Sequence, residues 1–145
     1  FIFGTMNPTS LRDYAGTQSL NKAFADRWVI WGKPFPNKEQ LNAIFEKRYP
    51  NLQNEYTDLI IKLATEVNNS FMSEDISINI ETPMSLRTIV ERIPIGLDVY
   101  SESTDPLKDT WENFVLPHVN KEDLDHYKTL WNTIVRKGPS LKPKL

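Results

Sequence analysis

A chain of 145 residues that is 39% hydrophobic and 25% charged suits one ordinary domain or two small ones. Its composition is that of a globular protein, not of a disordered, collagen-like or membrane chain. The formal net charge of -2 offers no bulk cationic surface, which argues against nucleic acid and anionic membranes as partners. Cysteine is absent, excluding disulfides, thiolate metal sites and cysteine nucleophiles and fitting a reducing compartment, with the cytoplasm as the default.

In chain order, Phe1, Ile2 and Phe3 are β-prone and read as a buried strand already under way, which suggests a piece of a longer protein. The strand ends at Gly4-Thr5-Met6-Asn7-Pro8, where proline lacks an amide hydrogen. A polar loop over residues 9–17 precedes a short helix carrying Leu20, Ala23 and Phe24, and Trp28-Val29-Ile30-Trp31 forms a second strand closed by Gly32, Pro34 and Pro36. Composition then turns helical. Asn37 with Gln40 predicts a capping box for a helix carrying Leu41, Ile44 and Phe45, ended by Pro50. Leu59, Ile60, Leu63, Ala64 and Val67 mark a longer amphipathic helix over residues 54–71.

Ile76, Ile78 and Ile80 alternate with polar residues, the pattern of a small strand or extended edge over residues 75–81. Thr82-Pro83 or Ser85 then caps a helix through Leu86, Ile89, Val90 and Ile93, stopped by Pro94 and Gly96. Asp105-Pro106 opens a helix to about residue 116, and Asn120 with Asp123 opens the last, carrying Leu124, Tyr127, Leu130, Trp131 and Ile134. Lys142-Pro143-Lys144 reads as a loose basic tail, and the acidic stretch over residues 98–125 as a solvated face. No apolar run approaches the roughly 18 residues needed to cross a bilayer, and the start does not read as a signal peptide. The layout is thus a fragment of an α/β fold joined at about residue 36 to a helical unit.

Three polar residues are candidates for chemistry. Asn7 ends a predicted buried strand, the edge where open α/β sheets bind ligands, and its amide could hold a water beside a phosphate; it is equally a turn former before proline. Arg27 closes the short helix, where a cation also simply complements the helix dipole. Arg87 stands in a first helical turn, where the dipole disfavours a cation, so a bound anion or a nearby carboxylate is expected to compensate. His118 and His126, eight residues apart, lack the spacing of ligands on one helix face, so no metal site is expected. No Ser-His-Asp order or nucleophile elbow is present.

The run FGTMNPTS, then YAGTQSLNKAFADRW, PFP and PMSLRTIVERI resembles the second half of an AAA+ ATPase module of the MoxR class, in its CbbQ/NorQ/CobS branch and related to midasin and dynein modules. The resemblance covers residues 1 to about 137 and implies an α/β P-loop NTPase fragment. Terminal strands of a parallel sheet, with sensor 1 and the arginine finger, would occupy residues 1–36. A helical lid with sensor 2 would follow over 37–97, and a C-terminal helical extension over 98–145. Asn7 matches sensor 1, Arg27 the arginine finger and Arg87 sensor 2, with Trp28 replacing the family's usual Phe after the finger. The chain has no GxxxxGK[ST], since Gly32-Lys33 has Arg27 where the first glycine should be and Pro34 where the hydroxyl should be. It also has no apolar strand ending in Asp-Glu. Both motifs would lie upstream of Phe1 in the family, so this chain alone is expected to be inactive.

The resemblance further implies a homo-oligomeric ring, usually hexameric, with ATP between neighbouring subunits and with ATP and Mg2+ held mainly by the N-terminal half of the module, upstream of Phe1. It would remodel a protein complex or insert a metal cofactor, with a von Willebrand factor A domain protein as partner. Two other readings stay open: a DNA-translocating or helicase-type AAA+ module, and a non-catalytic helical interaction module in which Arg27 and Arg87 are surface ion pairs.

Overall fold

The computed structural model describes Arg27, residues 34–75 and 77–136, Gly138, Pro139 and residues 141–145. The chain divides into two compact units, Phe1–Pro34 and Phe35–Leu145. The second unit is helical: α1 (Lys38–Arg48), α2 (Asn54–Phe71), a π-turn (Thr88–Arg92) running into α3 (Ile93–Val99), α4 (Pro106–Thr110) running into a second π-turn (Trp111–Val115), 3-10 turns at Leu116–His118 and Lys121–Asp123, and α5 (Leu124–Ile134).

This corrects the α/β P-loop sheet expected from the sequence: the structure is helical, with no strand or sheet among the described residues. The predicted strands at residues 1–3 and 28–31, the short helix between them and Asn7 lie outside the described residues. The predicted edge over 75–81 is described apart from Ile76 and forms turns. Asp75 takes the Ser77 amide at 2.9 Å and its hydroxyl at 2.7 Å, a local bond that offers the backbone an alternative to a ladder. Those bonds hold the Asp75 carboxyl below the usual carboxylate range. Ile80 is buried while Ile78 faces solvent, so of the two described isoleucines of the pattern one points to the core.

α1 begins as its sequence dictates. Asn37 Oδ1 accepts from the Gln40 amide at 2.9 Å and Gln40 Oε1 accepts from the Asn37 amide at 3.0 Å, a reciprocal capping box. Leu41 and Phe45 turn inward against α2, whose buried stripe of Ile60, Ile61, Leu63, Ala64, Val67 and Phe71 forms the middle of the core. α5 packs on another side of α2 and brings in Tyr127.

The helix expected to stop at Pro94 and Gly96 continues through both to Val99. Proline cannot donate to the carbonyl one turn back, which would leave the Val90 oxygen without a partner. Tyr49 supplies the missing donor: its hydroxyl bonds to Val90 O at 2.7 Å. The π-turn before the proline carries the Ile93 amide back to Thr88 O, so the chain enters Pro94 already widened. Gly96 permits close approach of α4, because a Cβ there would meet Thr110 Cγ2 at 2.5 Å and Phe114 Cγ at 3.1 Å. The basic tail is strapped to α2 and not loose. Tyr56 donates to Leu141 O at 2.9 Å and Gln53 to Lys142 O at 2.9 Å. Lys142 pairs with Glu102.

Candidate functional site at the Ser85 helix start

Ser85 caps the helix that runs through the first π-turn into α3. Its Oγ accepts from the Thr88 amide at 3.1 Å and its carbonyl from the Ile89 amide at 3.1 Å. Arg87 therefore occupies the first turn, as the sequence predicts, where backbone amides lack partners within the helix.

Two buried polar side chains fix where that turn sits. Asn68 on α2 clamps Met84, its Oδ1 accepting from the Met84 amide at 2.9 Å and its Nδ2 donating to the Met84 carbonyl at 3.1 Å. Asp123, only 4% exposed, accepts from the Thr82 amide at 2.7 Å and from the Glu81 amide at 3.1 and 3.2 Å. Tyr127 adds a bond from its hydroxyl to Thr82 O at 2.8 Å. Burial, and after it the Asp123 carboxylate, pushes the Tyr127 phenol well above the ordinary tyrosine value, so it remains a donor. Residues 81–84 are thus tied to both α2 and α5, and Arg87 projects from a rigid base.

The Arg87 side chain is 80% exposed, and its Nε lies 3.9 Å from Glu91 Oε2; Arg48 Nη1 approaches the other Glu91 oxygen at 3.7 Å. These contacts are long and wet, each worth about 0–1 kcal/mol. A first-turn cation loses about 0.3–1 kcal/mol to the helix dipole, so the Glu91 pair roughly cancels that cost. The guanidinium is left able to exchange Glu91 for an anion that would also meet the free amides.

Arg27 stands in a turn and is exposed. It belongs to the first unit and Arg87 to the second. Asn7 lies outside the described residues. Among the described residues no group of three or more His, Asp and Glu side chains could hold a metal ion. No helix among them is long and apolar enough to cross a membrane.

Sequence reasoning missed Asn68 and Asp123, reading Asp123 as a helix cap and the acidic stretch around it as solvated. Asp123 is instead turned inward onto a loop 42 residues earlier. The signal was weak: one carboxylate among many, distinguished only by its place beside the apolar stripe of α5.

No protein-family model matches the sequence, and no curated protein or solved structure is detectably similar to it.

Proposed function

We propose that the helical unit Phe35–Leu145 is the nucleotide-sensing part of an ATP hydrolase of the AAA+ type, which couples ATP binding and hydrolysis to remodelling of a protein partner. In this reading Arg87 meets the terminal phosphate and reports its presence. Arg27 reaches the phosphate held by a neighbouring copy in a ring, and Asn7 orients the attacking water. The observation that carries the reading is the placement of Arg87: an exposed guanidinium in the first turn of a capped helix, on a rigidly clamped base, held among the described residues by nothing stronger than one long contact to Glu91.

Phosphoryl transfer asks for placed positive charge more than for covalent chemistry, and an arginine contributed by a neighbour is worth roughly 10³–10⁵ in rate, which makes turnover depend on assembly. When water displaces ADP from the γ-phosphorus and phosphate leaves, Arg87 loses its partner and returns to Glu91. The clamps at Asn68 and Asp123 would carry that change into α2 and α5 as a rigid-body movement.

A second reading has one observation in its favour. The chain Arg48–Glu91–Arg87 is a surface ion-pair network in its own right, as expected of a non-catalytic helical interaction module. Binding of ATP and ADP to the full-length protein separates the two. The sensor reading expects Arg87→Ala to bring the two affinities together with the fold intact. Unchanged discrimination between ATP and ADP would favour the interaction module, and a variant that merely unfolds would make Arg87 structural.

A further inference from the structure

We propose that the cleft between the two π-turns is a binding site for one phosphoryl group, held by Arg92 and His118. This goes beyond the ATP hydrolase reading, since Arg87 does not line the cleft. The cleft has a volume of about 280 Å³ and is walled by the 82–85 loop, the π-turn Thr88–Arg92, the end of the second π-turn at Val115, the 3-10 turn at His118, and Tyr127. That volume is at the small end for ligand pockets and suits a single headgroup better than an extended molecule.

The lining decides the sign of the ligand. No carboxylate lines the cleft, and no carboxylate pairs with Arg92 among the described residues. Every hydrogen available there comes from a donor. Thr82 Oγ1 accepts from the Asn120 amide at 3.1 Å, which leaves its own hydrogen free. Ser85 and Thr88 share one hydroxyl–hydroxyl bond at 3.0 Å, using one of their two hydrogens and releasing the other. Tyr127 is excluded as a donor because its hydroxyl is already committed to Thr82 O. Arg92 adds a guanidinium fork and His118 a ring N–H in either tautomer.

These donors come from three directions: the loop, the helix and the 3-10 turn. A tetrahedral oxyanion meets donors so arranged more completely than a planar carboxylate does, and an arginine fork grips two of its oxygens. The two π-turns bear on the same point. Such turns widen a helix by one residue and recur at functional sites, and here two of them pack against each other and open onto one cleft.

The test is an amide-resolved NMR titration of the 145-residue chain with inorganic phosphate, with AMP and acetate as separate arms at matched ionic strength. Saturable shifts at Thr82, Thr88 and His118 are expected, with Arg92→Gln binding phosphate about tenfold more weakly or worse and the exposed Lys128→Gln unchanged. Should Arg92→Gln lose its cooperative melting, the exposed His118→Gln provides the same comparison, with weaker binding again expected. Saturation by AMP as well as phosphate assigns an esterified phosphoryl group, and saturation by inorganic phosphate alone assigns the free ion. Shifts that grow without saturating, an Arg92→Gln affinity equal to wild type, or acetate binding as tightly as phosphate would each overturn the site.

Discussion

Asp123→Ala removes the carboxylate that receives the Glu81 and Thr82 amides from the loop before Ser85. Hydrogen bonds to a charged acceptor contribute about 1.5–3 kcal/mol each, and the partner left behind without a bond adds to the loss. The 2.7 Å bond to Thr82 belongs at the upper end of that range. Glu81 is exposed, so its amide recovers water and its bond belongs at the lower end. The sum is about 4–5 kcal/mol, a large share of the 5–15 kcal/mol typical of a folded domain. In urea, with a slope of about 1–3 kcal/mol/M, the unfolding midpoint should fall by roughly 1–5 M. Asp123→Asn keeps one accepting oxygen but turns an NH2 toward an amide donor, so about 1–2 kcal/mol of loss is expected. Tyr127→Phe acts on the same residue from the carbonyl side, and the double variant should lose less than the two single losses added together. A loss below about 1 kcal/mol for Asp123→Ala, with unchanged hydrogen exchange at the Thr82 amide, would refute the idea that this carboxylate anchors the loop.

Three further outcomes follow from packing and ionisation. Gly96→Ala places a methyl 2.5 Å from Thr110 Cγ2 and should cost about 1–3 kcal/mol by thermal melting; a neutral result would mean that α3 and α4 are not so closely apposed. The Thr110 hydroxyl is fully buried with no partner among the described residues, so Thr110→Val should hold or raise stability by up to about 1 kcal/mol, and a clear loss would reveal a hidden partner. Burial, followed by Asp105 and Glu55, pushes the Tyr56 phenol up to about 12, so the folded state keeps this proton longer than the unfolded one. The stability this gives is complete below pH 10 and is lost as pH rises through about 12, which phenolate absorbance read alongside circular dichroism would show as late ionisation coincident with unfolding. Early, reversible ionisation of every tyrosine would contradict it.

What could be read from the sequence was what local chemistry decides. The Asn37–Gln40 box, the stripe of α2 and the Asp105-Pro106 start all depend on neighbours within one turn, and the structure has each of them. What escaped depends on partners far along the chain. Pro94 looked like a stop because nothing nearby could satisfy the Val90 carbonyl, yet Tyr49 does so from 41 residues away. The apolar steps Ile89, Ile93 and Leu97 crossing the proline were the available hint that the helix continued. Over residues 77–81 the alternation places Ile80 in the core and Ile78 in solvent without a strand, because a strand without a neighbouring strand has no ladder to join. At the candidate site, Arg87 and its Ser85 cap were legible because both belong to one turn. The cleft was not, because Arg92 and His118 lie 26 residues apart and come to line one cleft through two π-turns for which the sequence carries no distinct signal.

The most direct test of Arg87 as a phosphate sensor is steady-state ATP turnover by the full-length protein, comparing wild type with Arg87→Ala and Arg87→Lys at matched melting temperature. Loss of a positioned charge at the terminal phosphate should lower turnover about tenfold or more in Arg87→Ala, with lysine recovering only part because it lacks the planar fork. Wild-type turnover in a fully folded Arg87→Ala protein, or no ATP hydrolysis by the wild type at all, would contradict it.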